Sequence, residues 1–171
     1  MLNAQDQGLL EVLLDSWDRN HTILINLLGA LPEGGLAARA VEGSPTVAEL
    51  FTHIHYVRLV FVSEDAPEFA CELPQQEWLA EPDPRRIAEM LNDSAKVVRE
   101  AVRSRVETGR EMNLHYDHPV LMLQHMLWHE GYHHGQIKLA LKAAGSPISN
   151  KEAGPLTWRV WMRKKSAVPT Q

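Results

Sequence analysis

Apolar residues recur every three or four positions along most of the chain, which is the spacing of one face of an α-helix. The first such run extends from about Gln7 to Leu31, where proline and glycine follow and end the helix. A second run extends from about Thr46 to Glu64. Its start is set either by Ser44 as N-cap or by a capping box of Thr46 and Glu49. The first third of the chain therefore predicts two amphipathic helices.

Two further helices follow a loop that extends from about Asp65 to Pro82 and is rich in proline and acidic residues. Trp78 is expected to fold this loop back onto the core. Asp83 caps the third helix, which reaches Gly109. The fourth runs from His118, a plausible N-cap, to about Ala144. Because its first half is apolar nearly all round, we expect it to be the most buried helix.

Four helices that each carry one apolar stripe bury those stripes by packing side by side. The predicted fold class is therefore an all-α four-helix bundle, within a single domain over residues 1–171. After it comes a short C-terminal segment in which Leu156, Trp158, Val160 and Trp161 alternate. That run is too brief to distinguish a short helix from an extended flap. The basic residues Arg159, Arg163, Lys164 and Lys165 are interpreted as a solvated tail.

The charge balance excludes some classes of partner. The chain has 17 Lys and Arg against 22 Asp and Glu, a net charge of -5, so nucleic acid and anionic membranes are not expected to attract it. The apolar runs are too short to span a membrane, and the start of the chain lacks the pattern of a signal peptide. The single cysteine, Cys71, cannot form an internal disulfide. We therefore expect a cytoplasmic protein.

The nine histidines are the unusual feature of the composition. His129 and His133 lie four residues apart on one face of the fourth helix, and His53 lies on the apolar stripe of the second. Three imidazoles that point into a bundle need a shared partner, and a divalent cation fits that requirement. Zinc, nickel and iron all accept imidazole ligands, and three such ligands leave a coordination position open for water or substrate.

Other polar residues near these histidines are candidates for lining a pocket. His125 precedes His129 by one turn, Gln136 follows His133 by three residues, and His21 lies on the stripe of the first helix. Glu130 would be the general base if His129 to His133 formed the HExxH helix of a zinc peptidase. His55 is expected to be solvated or covered by a loop.

The chain resembles the DinB-like family of metal-binding four-helix bundles. The similarity is carried by Ser44–Ile54, which reads SPTVAELFTHI, by His129–Ile137, which reads HEGYHHGQI, and by the late WRVW of Trp158–Trp161. It implies the metal ligands His53, His129 and His133, a helix order of 1-2-4-3 and a homodimer, for which the apolar excess of the first and third helices also argues. Many members have arginine after the last ligand, where this chain has His134.

Members of this family resemble thiol-dependent S-transferases, so the similarity implies a metal-dependent transferase that uses a low-molecular-weight thiol on a small electrophile. A non-enzymatic, stress-related bundle that binds metal or a small ligand is an alternative. A metal-dependent hydrolase of the HExxH type is less favoured, because no histidine and only one acid, Glu152, follow His134. Cys71 lies in a predicted loop far from the motif and is interpreted as incidental.

Overall fold

The predicted helices begin and end where local capping groups are available. A computed structural model describes residues 3–162, and in this range all regular elements are helical apart from an isolated bridge between Arg39 and Thr46. The α-helices are α1 Ala4–Gly29, α2 Val47–Asp65, α3 Pro84–Thr108, α4 Pro119–Ala143, α5 Asn150–Leu156 and α6 Trp158–Trp161, with 3-10 turns at Gly35–Ala37 and Pro67–Phe69.

Capping decides where α1 and α2 start. The Asn3 side chain accepts hydrogen bonds from the backbone N–H groups of Gln5 and Asp6, so α1 begins three residues before the predicted Gln7. For α2 the capping box is formed: Thr46 accepts from the Glu49 N–H, and the Glu49 carboxylate accepts from the Thr46 N–H. The structure thus selects Thr46, and not Ser44, as the cap.

The starts of α3 and α4 follow the sequence signals closely. Asp83 accepts from the Arg85 N–H at the start of α3, and Gly109, at φ 65°, ends that helix in a left-handed conformation that suits glycine. His118 Nδ1 accepts from the Val120 N–H at 3.2 Å, which confirms this histidine as the cap of α4.

A polar layer divides the core of the bundle into two hydrophobic clusters. One cluster includes Leu24, Ile54, Leu91 and Ile137, and the other includes Trp17, Val62, Val98 and Met126. Each long helix contributes one polar residue between the two clusters. These are Asn20, Arg58, Ser94 and Glu130, which we call the polar layer.

The backbones of α2 and α3 approach each other most closely, and α3 also packs on α1 and α4. The predicted helix order 1-2-4-3 would place α2 and α3 on opposite sides of the bundle and α1 beside α2, which is not the arrangement that these contacts show. Instead, α1 and α2 meet chiefly through the side chains of a shared cluster. Small buried residues on α3, Ser94, Ala95 and Ala101, allow the close approach of the neighbouring backbones.

The prediction that α4 is the most buried helix is wrong. Leu121, Trp128, Tyr132 and Leu139 on its outer side are each about half or more exposed, whereas α2 is the helix with most of its residues buried. After α4, the segment that could have been a flap forms the two short helices α5 and α6, which pack on α1. Of the predicted basic tail, Arg163, Lys164 and Lys165 lie outside the described residues. None of the helices in residues 3–162 is long and apolar enough to cross a membrane.

Candidate metal centre

Three imidazoles from two helices converge just outside the polar layer. His53 of α2 lies 3.2 Å from His129 of α4, measured between the Nε2 atoms, and the Nε2 atoms of His129 and His133 are 3.0 Å apart. One ring nitrogen from each of the three lies within 4.8 Å of the other two. His53 and His133 are buried and His129 is half-buried. The structure thus brings together the three histidines that the sequence singled out.

The spacing of these nitrogens suits a single cation. Metal to nitrogen bonds of about 2.0–2.1 Å at angles between about 90° and 110° place neighbouring ligand nitrogens roughly 2.8–3.4 Å apart. Two of the three nitrogen pairs have this separation before any movement of the side chains. The residues present therefore fit a divalent metal ion bound by three imidazoles.

One outer hydrogen bond orients the His133 ring, and a carboxylate lies beside the His53 ring. The Nδ1–H of His133 donates to Gln136 Oε1 at 2.7 Å, and a carboxylate oxygen of Glu77 lies 2.9 Å from His53 Nδ1. The proton that His133 Nδ1 donates to Gln136 leaves the Nε2 lone pair of that ring free to face His129. This arrangement is the one that metal-binding histidines adopt.

Burial keeps the three imidazoles neutral, which is the form that binds metal. The pKa of His129 is lowered to about 3, chiefly by desolvation and also by the neighbouring His133 and His53. Desolvation is also the main reason that the pKa values of His53 and His133 lie below the ordinary value. No proton has to be displaced from these nitrogens at neutral pH, so the site is preorganised for a cation.

The long loop before α3 covers one side of the site. The Thr52 hydroxyl donates to the Leu79 carbonyl at 2.8 Å and accepts from the Leu79 N–H at 3.1 Å, which ties the loop to α2. The neighbouring Trp78 stacks on the His53 ring, with 3.9 Å between ring centroids and an angle of 4°. The expectation that Trp78 folds the loop onto the core is confirmed. Glu77 was missed, because no local pattern marks an exposed loop acid as the partner of a distant histidine.

Glu130 points away from the three imidazoles and belongs to the polar layer. Its Oε1 accepts from Arg58 Nε at 2.6 Å and its Oε2 accepts from Asn20 Nδ2 at 2.6 Å. Burial raises the pKa of Glu130, while Arg58 and Asn20 act against that rise. Sequence reasoning missed Arg58, although its position between Ile54 and Val62 on the buried stripe of α2 was a usable signal.

The remaining candidate histidines lie outside the convergent group. The ring centroid of His125 is 6.5 Å from that of His129, and its Nδ1 is hydrogen-bonded to the Tyr116 hydroxyl at 2.8 Å, so it borders the site. His21 instead contacts Asn92 of α3 through Nε2, at 2.8 Å. His55 is buried and lines a groove of about 610 Å³ with loop residues such as Phe69 and Cys71, so it is loop-covered and not solvated.

Comparison with known proteins identifies the family of this chain. A model of the family described as DinB family matches residues 1–154, which is most of the chain. The chain belongs to the DinB family. No curated protein and no solved structure matches it. Membership in DinB, a family of metal-binding proteins, and three close histidines of which two are buried together indicate a site that could bind a metal ion.

Proposed function

We propose that this DinB protein binds one divalent metal ion through His53, His129 and His133 and uses it to transfer a low-molecular-weight thiol to a small electrophile. The observation that carries the proposal is the convergence of the ring nitrogens of three neutral histidines, of which His133 is held in place by Gln136. Zinc, nickel or iron would each suit these ligands.

A divalent cation held by three neutral imidazoles would supply a Lewis acid that retains its full charge and stabilises a thiolate at neutral pH. The chain itself supplies the remaining functions. Gln136 fixes the ring of His133 through its Nδ1 atom, and the Glu77 carboxylate lies 2.9 Å from His53 Nδ1. Trp78 lies flat on His53 and keeps water from that face of the ring. The thiol must therefore approach from a side that Trp78 does not cover.

The hydrogen bonds of Glu130 argue against the hydrolase of the HExxH type. A general base needs an oxygen free to accept a proton from a metal-bound water. Both carboxylate oxygens of Glu130 are instead occupied by Arg58 and Asn20 in the polar layer. We infer that Glu130 has a structural role in this chain.

A second candidate function is passive binding of a metal or small ligand. Passive binding is favoured because neither nearby carboxylate is free to act as a general base. Glu130 is hydrogen-bonded to Arg58 and Asn20, and Glu77 lies against His53. A transferase that lacks a general base for the thiol can operate only if the metal alone lowers the pKa of the thiol. The two candidates therefore differ in what happens when a thiol is added.

The first experiment measures metal content and thiol binding on the full-length protein. Elemental analysis after purification without added metal should find about one ion per chain. His133→Ala should lose it, and His118→Asn, which removes an imidazole but keeps a good helix cap, should not. Addition of a small thiol to cobalt-loaded protein should produce a thiolate-to-cobalt charge-transfer band and release about one proton per site.

The second experiment tests transfer with an electrophilic bimane dye and a panel of cellular thiols. Metal-dependent conjugation that His133→Ala abolishes would support the transferase. A metal-loaded protein that neither releases a proton nor speeds conjugation would refute it and favour the passive binder. Peptide cleavage that is lost in Glu130→Gln would instead support the hydrolase.

A further inference from the structure

A concave groove lies at the end of the bundle where α1 ends and α2 begins. Its volume is about 590 Å³, and small-molecule sites occupy roughly 300–1,000 Å³. The apolar lining residues come from the end of α1, the turn that follows it, the start of α2 and the loop before α3. They are Leu28, Leu31, Leu36, Ala48, Ala80 and Pro82, and we call this site the end groove.

The floor of the end groove is continuous with a hydrophobic cluster of the core. Leu28 and Ala48 are buried members of the cluster that also contains Ile54. Leu31 and Leu36 pack against that cluster but are only partly buried. An apolar molecule in the end groove would cover their exposed surface and extend the core. Removal of apolar surface from water is the main driving force for such binding.

The wall formed by the turn after α1 is closely packed. Gly34 has φ 73°, and the Gly35 N–H donates to the Pro32 carbonyl at 2.9 Å. A Cβ atom at Gly35 would lie 3.1 Å from Pro32 Cδ and 3.3 Å from Leu141 Cδ2, so glycine lets the turn approach this near. This side of the end groove is therefore preformed, and a ligand does not have to order it.

The opposite wall is the loop before α3, which is held at two points. Leu79 is tied to Thr52 of α2 by two hydrogen bonds, and the Glu81 carboxylate lies 3.2 Å from Arg86 Nε at the start of α3. Ala80, between these two points, lines the end groove. Both walls are thus fixed by contacts within the chain.

The charges around the end groove disfavour an anion. Among the described residues, its charged lining groups are two acids, Glu33 and Glu81, and no lysine or arginine lines it. A cation would find only the exposed Glu33, because Glu81 is engaged by Arg86. The hydroxyl of the lining residue Thr46 is likewise engaged by Glu49. The end groove therefore suits an uncharged molecule that binds through apolar contact.

The groove beside His55 has a similar volume but a different chemistry. Its lining includes charged residues of both signs on α3, which are Asp93, Lys96 and Glu100. An uncharged ligand there would displace water from these charges without replacing it. Of the two grooves, the end groove is the one suited to an apolar ligand.

We propose that the end groove binds an uncharged, largely apolar small molecule. Its floor supplies apolar contact, its turn wall is preformed and its acidic rim disfavours anions. The bound molecule would lie beside the loop that places Trp78 on His53, so the end groove neighbours the candidate metal centre but uses none of its three histidines. The proposal does not depend on metal binding or on the proposed function.

Two fluorescent dyes test the class of ligand on the full-length protein. N-phenyl-naphthylamine is uncharged, and anilinonaphthalene sulfonate has the same rings with an added sulfonate. The uncharged dye should gain emission that saturates at about one molecule per chain, and the sulfonate should bind at least about tenfold more weakly. Equal binding of the two dyes would overturn the proposal. So would a failure of the uncharged dye to bind, which is expected if a second copy of the chain covers the end groove.

Two substitutions test the location. Leu36→Trp enlarges a partly exposed lining side chain and should weaken binding of the uncharged dye at least about fivefold, because it fills the end groove. Ala80→Asp adds a carboxylate at an exposed lining position and should weaken binding to a similar extent, with an unchanged circular dichroism spectrum. Dye binding that survives both substitutions would overturn the proposal.

An exposed apolar side chain elsewhere provides the matched control. Trp128 on α4 is 69% exposed, whereas α3 exposes no large apolar side chain, contrary to the apolar excess expected of it. Trp128→Arg removes this alternative surface for a dye and should leave binding of the uncharged dye unchanged. Loss of dye binding in Trp128→Arg would place the dye on α4 and overturn the proposal.

The same dye separates the end groove from the candidate metal centre. His133→Ala should leave dye binding unchanged, because no histidine among the described residues lines the end groove. Loss of dye binding in this variant would overturn the proposal. A wild type that binds the dye but transfers no thiol would refute the proposed function and still support the end groove.

Discussion

Removal of Arg58 should destabilise the fold strongly, and the structure gives the magnitude. Arg58 is fully buried, donates to Glu130 and to the Leu91 carbonyl, and lies 4.8 Å from the Trp17 ring centroid. Replacement by methionine, which is apolar and of similar length, leaves the Glu130 carboxylate buried with only Asn20 as a partner. Loss of one partner of a buried ion pair costs about 3–5 kcal/mol. We expect Arg58→Met to lower the free energy of unfolding by this amount at neutral pH.

The cost should depend on pH in a defined direction. In the Arg58→Met variant, the main group that opposes the raised pKa of Glu130 is gone and only Asn20 remains, so that pKa rises further. A carboxyl group whose folded-state pKa is raised favours the folded state below its unfolded pKa, and this contribution is lost as pH increases through the folded value. The difference from wild type should therefore be smaller near about pH 5 than near about pH 8, by up to roughly 1.4 kcal/mol per pH unit.

Urea denaturation at both pH values, followed by circular dichroism, measures these differences. The matched control is the double variant Arg58→Met with Glu130→Gln, which removes both charges and retains an acceptor for Asn20. It should recover about 2 kcal/mol of the loss at neutral pH, since the remaining groups are uncharged. If the single variant lost less than about 1 kcal/mol, or if the double variant were as unstable as the single one, the polar layer would not have the energetic role assigned to it.

Three further predictions concern the metal centre and its surroundings. Chelation with EDTA should leave far-ultraviolet circular dichroism largely unchanged, because the two hydrophobic clusters stabilise the helices; cooperative unfolding would contradict this. Gln136→Met should weaken metal binding about 10- to 100-fold in a chelator competition assay, with little change in unfolding free energy, because His133 loses its orienting acceptor. The pKa of His21 is lowered to about 4, chiefly by burial, so its contribution to stability is lost as pH falls from about 6.5 to about 4. His21→Gln should reduce the loss of unfolding free energy over this range in urea titrations, and an unchanged slope would show that His21 does not titrate in this way.

The helices could be predicted from the sequence because each carries its own local signals. The stripe of α3, the Asp83 cap and Gly109 place that helix within about a residue of its observed ends. The two candidate ligand histidines of α4 could also be predicted, since a spacing of four residues on one helix fixes their relative position. The prediction that His53 joins these two histidines required the further inference that the apolar stripes of α2 and α4 face each other. The structure supports that inference.

The parts that could not be predicted depend on tertiary contacts. Glu77 reaches His53 only because Thr52 ties the loop at Leu79, and nothing in the local sequence encodes that contact. The burial of α4 was misjudged because a helix that is apolar on all sides has two explanations. Such a helix either lies at the centre of the core or exposes one apolar face. Trp128 and Tyr132 are exposed, so the first explanation does not hold for α4.

The stacking of Trp78 on His53 gives the protein an optical readout of its own. Indole fluorescence is quenched by a contacting imidazolium and altered by a nearby paramagnetic ion, so the emission of Trp78 should report the state of the ring beneath it. The chain has five tryptophans, and subtraction of the spectrum of a Trp78→Phe variant isolates this one. Protonation of His53 and metal occupancy can then be followed in real time without an added dye, at the residue where loop and helix meet.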